Sequence, residues 1–153
     1  MTEFHGSVKI RFGDVDNAGI VYFPRILDYC HRVFEDFFVD VTEVPYDRLI
    51  NTRRVGFPTV HISADFVSKM NYGDVLDIRM SIRRMGRSSA DFRYRIFSKT
   101  SGALLADILL TVCAIGMDRF RPVPIPKDLR AAFAKFPGPD ERKMRPRTSR
   151  RRG

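Results

Sequence analysis

The sequence predicts an α+β domain in which a five-stranded antiparallel sheet wraps around one long helix. Residues 24–38 carry apolar side chains at helical spacing. From residue 59 onward, apolar and polar residues alternate with a period of two, which is typical of half-buried strands. The turns between these strands are short, and short turns join antiparallel neighbours. The chain has 153 residues, 44% of them hydrophobic, which is enough for one domain with an apolar core.

One strand and two helices are predicted in the first half of the chain. Residues 7–12 alternate Val8, Ile10 and Phe12 with polar residues, as a short half-buried strand does. The long helix over 24–38 begins at Pro24, where a proline in the first turn is tolerated. The residues expected on its buried face are Ile26, Cys30, Val33, Phe34, Phe37 and Phe38. A second, shorter helix is predicted over 44–54.

Four strands and a final helix are predicted in the second half. Residues 104–117 are apolar at almost every position, which favours a central strand covered on both faces. Turns are expected at 71–74 and at 99–103, where Gly102 can adopt a positive φ, and a helix is expected over 126–136. One face of the sheet would still need covering, so the pattern favours an oligomer. The buried positions expected on the other three strands are Val60, Ile62, Ala64, Phe66, Leu76, Ile78, Met80, Ile82, Ala90, Phe92, Tyr94 and Ile96.

The formal charge of +9 is concentrated at the carboxyl end of the chain. Residues 140–153 contain seven Lys or Arg and two acidic residues, a net charge of +5, which leaves +4 for residues 1–139. We therefore expect a folded domain over residues 1–136 and a basic, disordered tail over residues 137–153. A solvated tail is the simplest interpretation. Contact of the tail with RNA, acidic lipid or an acidic protein stays open as an alternative.

Several classes of protein are not supported. Cys30 and Cys113 lack CxxC or Cys/His ligand spacing, so neither a disulfide framework nor a zinc site is expected. No secretory signal is visible at the start. The longest apolar stretch is interrupted by Asp107 and is shorter than the roughly 20 residues that span a bilayer. We therefore expect a cytoplasmic protein. The nucleotide, zincin and serine-hydrolase motifs GxGxxG, GxxxxGK[ST], HExxH and GxSxG are absent.

A carboxylate cluster in residues 12–24, FGDVDNAGIVYFP, is the candidate for chemistry. Asp14 and Asp16 shortly precede the long helix, and Asp in such loops commonly hydrogen-bonds its own backbone or caps the helix. An ordinary turn is therefore one interpretation. The apolar run AGIVYF favours a different one, a loop that lines a pocket, in which Gly19 lets the backbone approach a ligand closely.

The start of the helix adds a second chemical group to this loop. Helix N-termini present free backbone N–H groups and the positive end of the helix dipole, here near Phe23 and Pro24. A carboxylate beside such N–H groups suits acyl transfer, because the carboxylate can attack or activate water while an N–H stabilises the oxyanion.

Residues 12–38 resemble the N-terminal signature of the 4-hydroxybenzoyl-CoA thioesterase family of hot-dog-fold acyl-CoA thioesterases, and the match is dense over residues 11–24. The family pattern runs Asp-x-Asp, then small-Ala-Gly-Ile-Val-aromatic-aromatic-Pro into the central helix, and the order of elements extends the resemblance to residues 7–136. The resemblance implies a hot-dog fold and hydrolysis of an acyl-CoA to free acid and CoA, with no metal or redox cofactor. It also implies a homotetramer, a dimer of dimers, with active sites at the dimer interface.

The resemblance also implies roles for particular residues. Asp16 would be the catalytic carboxylate, as nucleophile or general base, and the backbone N–H of Phe23 would polarise the thioester carbonyl. Asp14 is expected to shape the loop, whereas Gly19 and Tyr22 are expected to contact the substrate. The turn GRSS aligns with a CoA-binding stretch of the family, which implies contacts from Arg87, Ser88 and Ser89. A plain polar hairpin turn is the alternative interpretation of these three residues.

The sequence departs from the family pattern at two positions. Asn17 stands where the family often has Pro. In aryl-specific members an acidic residue in the helix reads the ring substituent, and the matching position here is His31. We expect a small aromatic acyl-CoA of benzoyl or hydroxybenzoyl type as substrate. An acyl-carrier-protein thioesterase and a non-catalytic acyl- or nucleic-acid-binding hot-dog protein are the alternatives, and neither nucleic acid nor membrane is an expected partner.

Overall fold

The computed structural model of the chain describes residues 2–140. Five strands form an antiparallel sheet, in the order Phe4–Lys9, Val75–Met85, Ser89–Ser98, Leu104–Cys113 and Thr59–Phe66. Alternate side chains of the inner strands are buried, including Leu76, Ile78, Phe92 and Ile96, as the period of two predicts. The strands are β1 (Phe4–Lys9), β3 (Thr59–Phe66), β4 (Val75–Met85), β5 (Ser89–Ser98) and β6 (Leu104–Cys113).

The long helix α1 (Phe23–Phe37) packs on one face of this sheet. It begins with Pro24 in its first turn and continues into a π-helical turn over Phe38–Thr42. The aromatic rings on its buried face meet those of the sheet and of a later helix; for example, Phe34 and Phe92 lie edge to face at 5.3 Å. The predicted buried face is confirmed at Ile26, Cys30, Val33, Phe34, Phe37 and Phe38, and Tyr29 is buried as well.

Two shorter helices and a small second sheet complete the described fold. They are α2 (Tyr46–Asn51), α3 (Lys127–Ala134) and the strands β2 (Val55–Gly56), β7 (Ile115–Gly116) and β8 (Arg121–Pro122). Helix α3 buries Leu129 and Phe133. It is also tied down by a bidentate ion pair, in which Arg53 donates to the two oxygens of Asp128 at 2.6 and 2.8 Å.

The predicted first strand is shifted. Strand β1 ends at Lys9, and Phe12 belongs to a 3-10 turn, Phe12–Asp14, with its side chain 79% exposed. The turn forms because the Asp14 carboxylate accepts the Arg11 N–H at 3.0 Å, which bends the chain away from the sheet. The prediction that Phe12 is a half-buried strand residue is therefore wrong.

The prediction that residues 104–117 form a central strand covered on both faces is also wrong. Strand β6 ends at Cys113, and its buried and half-exposed residues alternate. The centre of the sheet is β5, with β6 next to the edge strand β3. The outward residues Leu104 and Leu109 are apolar but are only partly covered, so apolar composition did not signal two-sided burial here.

Strand β3 lies at the edge of the sheet and is exposed almost throughout. Val60, Ile62 and Phe66, which the period of two predicts as buried, are 62%, 48% and 51% exposed. Ile62 pairs with the buried Leu110, so it lies on the helix side of the sheet, because directly opposed residues share a face. In the single chain this part of the helix side is uncovered.

The chain remains packed beyond the domain boundary predicted at residue 136. Arg83 Nη1 donates to the carbonyl oxygens of Pro137 and Pro139. The Gly138 N–H donates to Thr2 O at 2.8 Å. Residues 141–153, which include most of the predicted basic tail, lie outside the described residues. None of the helices within residues 2–140 has the length and hydropathy to cross a membrane.

Candidate active site

The loop between β1 and α1 is closed by backbone hydrogen bonds. The Asp16 N–H donates to Ile20 O and the Gly19 N–H donates to Asp16 O, both at 3.0 Å. Gly19 has φ of 77°, a left-handed conformation that glycine adopts without strain. The Val21 N–H donates to Met70 O at 2.9 Å, which ties the loop to the segment that precedes β4.

Asp16 lies at the tip of this loop with its side chain exposed. Its Oδ1 accepts the Ala18 N–H at 2.8 Å, which orients the carboxylate. Asp16 lines a cavity of about 370 Å³, together with Phe12, Val15, Asn17, Gly19 and Tyr72. Two exposed rings, those of Phe12 and Tyr72, lie perpendicular to each other at 6.1 Å. Sequence reasoning missed both rings, because the alternation of residues 7–12 placed Phe12 in a half-buried strand and residues 71–74 predicted only a turn at Tyr72.

The backbone N–H of Phe23 is the free donor at the start of α1. Pro24 has no N–H, and the Arg25 N–H donates to Tyr22 O at 2.9 Å. The Phe23 N–H meets no acceptor within residues 2–140. A free N–H at a helix N-terminus is a ready donor to a developing oxyanion.

A second cavity of about 370 Å³ lies beside Phe23. Consecutive residues line the two cavities, since Gly19 lines the first and Ile20 lines the second. Tyr22, predicted to contact the substrate, is 56% exposed and lines neither cavity. The second cavity is mainly apolar, and it is lined by Ile20, Val21, Phe23, Ile26, Phe66, Val67, Ser68, Lys69 and Met70.

Asp14 holds the base of the loop. Burial would raise the pKa of this carboxyl, but the hydrogen bond from the Arg11 N–H, the nearby Tyr29 hydroxyl and the charges of Arg25 and Arg32 bring the pKa below its ordinary value. Tyr29 lies fully buried beneath it. Burial, and then the facing Asp14 carboxylate, raise the pKa of the Tyr29 hydroxyl. That hydroxyl closes no well-formed hydrogen bond within residues 2–140.

His31 lies two turns into α1, at the mouth of a small cavity of about 30 Å³. Its Nε2 lies 3.1 Å from Glu35 Oε1, and its ring stacks on Phe34. Tyr94 lines the same cavity and is 1% exposed, and its hydroxyl has no hydrogen-bond partner within the described residues. The sequence pattern predicted Tyr94 only as a core residue. The other lining residues are Phe34, Phe57, Thr59, Leu110 and Val112.

The predicted CoA-binding residues lie in the turn between β4 and β5. Arg87 is exposed, whereas Ser88 and Ser89 are partly buried. The loop that carries Asp16 contacts residues 70–74, just before β4, and the turn follows the other end of that strand. Strand β4 is 11 residues long, so the Asp16 loop and the Arg87 turn lie about 35 Å apart. Within one chain the structure therefore does not bring Arg87 and Asp16 together.

The chain's metal-ligating residue types are scattered across residues 2–140. No three His, Cys, Asp or Glu side chains in that range are placed to hold a metal ion. Both cysteines are free thiols. Burial raises the pKa of Cys30, so this thiol is protonated at neutral pH and is a poor nucleophile.

Comparison with known proteins identifies the family. The sequence profile of the thioesterase-like superfamily matches residues 10–133. A 1,4-dihydroxy-2-naphthoyl-CoA hydrolase from Acaryochloris marina is 30% identical over 122 residues, 78% of this chain and 88% of the relative. A 4-hydroxybenzoyl-CoA thioesterase from a Pseudomonas species is 30% identical over 126 residues, 78% of this chain and 89% of the relative.

Two solved structures of acyl-CoA thioesterases have the same fold as this chain. The crystal structure of a 1,4-dihydroxy-2-naphthoyl-CoA thioesterase from Synechocystis superposes with a TM-score of 0.80 at 25% identity, covering 90% of this chain and 99% of that one. A mutant 4-hydroxybenzoyl-CoA thioesterase in complex with 4-hydroxybenzoyl-CoA also has a TM-score of 0.80, at 25% identity, covering 87% of this chain and 99% of that one. The predicted hot-dog fold is confirmed, and the chain is a thioester hydrolase that belongs to the thioesterase-like superfamily.

Proposed function

We propose that this protein hydrolyses an acyl-CoA thioester to the free acid and CoA, with Asp16 as its catalytic carboxylate. The observation that carries the proposal is the free N–H of Phe23 on the same closed loop as Asp16. Similar proteins are named as hydrolases of aromatic acyl-CoA thioesters, which supports the substrate class.

The loop supplies the two groups that thioester hydrolysis needs. Asp16 either attacks the carbonyl carbon, forming an anhydride that water then cleaves, or removes a proton from the water that attacks. In both routes the Phe23 N–H donates to the carbonyl oxygen as its negative charge develops. The C–S bond breaks, CoA leaves as thiolate and takes up a proton, and the acid leaves as carboxylate.

We propose further that the active unit is a dimer of this chain, assembled into a dimer of dimers. Strand β3 is an edge strand whose apolar residues Val60, Ile62 and Phe66 are each at least 48% exposed. An edge of this kind is a template for pairing with a second chain. Asp16 and Arg87 of one chain lie about 35 Å apart along β4. A single substrate molecule can therefore contact both residues only if Asp16 comes from one copy of the chain and Arg87 from another.

The acyl group is proposed to be aromatic. The cavity at His31 lies eight residues beyond Phe23 on α1, about 12 Å along the helix axis. This distance is comparable to the length of an aromatic acyl group that accepts a hydrogen bond from Phe23 at its carbonyl oxygen and forms another at a polar ring substituent. The cavity has both apolar and polar walls, and Tyr94 offers it an unpaired hydroxyl donor, which suits a ring hydroxyl.

Replacing Asp16 tests the reaction. Asp16→Asn keeps the size and the loop hydrogen bond of this side chain, so folding should persist while kcat falls by about 100-fold or more. Turnover is measured on benzoyl-, hydroxybenzoyl-, phenylacetyl- and aliphatic CoA thioesters by detecting the CoA thiol that hydrolysis releases. Asp47→Asn, at an exposed carboxylate on α2, is the matched control. Near-wild-type turnover by Asp16→Asn on every accepted thioester would show that the assigned mechanism is wrong.

A further inference from the structure

Arg130 on α3 reaches across to the turn between β4 and β5. Its Nη2 donates to Gly86 O at 2.7 Å and to Arg87 O at 3.1 Å. The side chain is partly buried, and no carboxylate within residues 2–140 forms an ion pair with it. The backbone of the turn is therefore what this guanidinium binds.

The other carbonyl groups of the turn are also engaged. Arg87 O accepts the Ile125 N–H at 2.9 Å, Ser88 O accepts the Ala114 N–H at 2.6 Å, and Ser89 O accepts the Gly86 N–H at 2.8 Å. Every carbonyl from Gly86 to Ser89 thus has a donor from the protein, and Arg130 supplies the donor for the first two.

Two backbone N–H groups of the same turn are not hydrogen-bonded within the described residues. The N–H groups of Arg87 and Ser88 meet no acceptor within the described residues. Successive free N–H groups in a turn form a concave site for an anion. The Arg87 guanidinium, exposed and without an ion-pair partner in residues 2–140, adds a positive charge beside them. Phosphate is the anion that this arrangement suits.

We propose that Arg130 is a positioning residue for substrate binding, which fixes the turn over 86–88 so that the Arg87 and Ser88 amides face a phosphate group of CoA. The inference rests on the proposed function and concerns the part of the substrate remote from the thioester. Arg130 contacts the carbonyl side of the turn and acts on the phosphate through that backbone.

The residue type follows from the geometry. One guanidinium nitrogen, Nη2, bridges two successive carbonyls. A lysine keeps the positive charge, but its ammonium rotates freely on a flexible chain, whereas the planar guanidinium holds the two N–H groups of Nη2 in fixed directions. Arg130→Lys therefore separates the charge of this residue from its hold on the turn.

The experiment compares two thioesters of the same acyl group, one of CoA and one of pantetheine, which has no phosphate. For Arg130→Lys and Arg130→Gln, KM for the CoA thioester should rise by about tenfold, roughly the effect of a hydrogen bond to a charged group. The kcat for both thioesters and KM for the pantetheine thioester should stay at the wild-type values. Two variants are used so that the test can still be made if one of them fails to fold.

Arg53→Ala is the matched control. Arg53 anchors the same helix through Asp128 but does not contact the turn, so its KM for the CoA thioester should not change. If Arg53→Ala raises that KM as Arg130→Lys does, the role of Arg130 is only to dock α3, and the inference is overturned. Equal changes of both thioesters, or wild-type KM in the Arg130 variants, also overturn it. If the wild-type protein hydrolyses neither thioester, the proposed function itself fails.

Discussion

The backbone N–H of Tyr22 donates to the backbone carbonyl of Asp14 at 3.0 Å, and this bond closes the loop that carries Asp16. Val15 and Val21 pair just inside it as an isolated antiparallel bridge. The carboxylate at the tip and the Phe23 N–H at the exit thus belong to one hydrogen-bonded unit. Groups that are held in place before the substrate binds need no reorganisation at the moment of reaction, and such preorganisation is a main source of catalytic rate.

Tyr29 is predicted to contribute little to stability through its hydroxyl. The group is buried and makes no well-formed hydrogen bond within residues 2–140, so removing it leaves no other polar group unpaired. Tyr29→Phe should therefore leave the free energy of unfolding unchanged or raise it by about 1 kcal/mol. Thermal and urea unfolding of the purified variant measure the effect.

Tyr46→Phe is the matched comparison for Tyr29→Phe. The Tyr46 hydroxyl accepts the Phe57 N–H at 2.9 Å, and its loss leaves a buried backbone donor unpaired, at a cost of about 1–3 kcal/mol. A Tyr29→Phe variant less stable than Tyr46→Phe would show that the Tyr29 hydroxyl does form a stabilising bond with Asp14.

The conformation of the loop around Asp16 could be predicted from the sequence more fully than the rest of the candidate site. The motif around Asp16 is local, so spacing and residue type carry its geometry. Tyr94 and His31, by contrast, line one cavity only because β5 and α1 pack together. Nothing in the alternation of β5 distinguishes a core tyrosine from one that lines a cavity. The separation of Arg87 from Asp16 likewise depends on the length and order of strands.

Burial at β3 shows the main limit of the sequence pattern for the fold. Ile62 and Phe66 have the period of buried residues, and they do lie on the helix side of the sheet, yet they are exposed in the single chain. Alternation reports which face a residue lies on, and burial also requires something to cover that face. For an edge strand, that cover is proposed to come from a second copy of the chain.

Ile62→Lys is predicted to disrupt the proposed dimer. The substitution places a charge on an exposed apolar edge, which is how natural proteins prevent strand pairing. The variant should sediment as a monomer and lose most of its thioesterase activity, since the proposed site needs two copies. Val39→Lys, at a similarly exposed apolar residue, 52% against 48%, is the control and should stay assembled and active. A monomeric wild-type protein, or an Ile62→Lys variant that remains assembled, would contradict the proposal.

The Arg53–Asp128 ion pair predicts a small stability difference that depends on pH. The hydrogen bond from Arg53 lowers the pKa of Asp128. A carboxyl with a lowered pKa stabilises the fold above its unfolded pKa of about 3.9, and this contribution is lost as the pH falls through the folded value. Because Asp128 is 58% exposed, Arg53→Ala should cost only about 0.5 kcal/mol at pH 7. Urea unfolding at pH 7 and at a pH below the unfolded pKa should show a smaller difference at the lower pH, and a difference equal at both pH values would contradict this assignment.

Tyr94→Phe is predicted to change which acyl groups the protein prefers. Burial raises the pKa of the Tyr94 hydroxyl well above its ordinary value, so the group stays protonated and can donate a hydrogen bond at any working pH. The cavity of about 30 Å³ that it lines has room for one hydroxyl group or one water molecule. The variant should lose about tenfold in kcat/KM for the preferred hydroxybenzoyl-CoA, the effect of about one hydrogen bond, and should keep the wild-type value for benzoyl-CoA. Steady-state kinetics with the benzoyl, 3-hydroxybenzoyl and 4-hydroxybenzoyl thioesters give the ratio, and an equal loss on all three would mean that Tyr94 packs in the core without reading the ring.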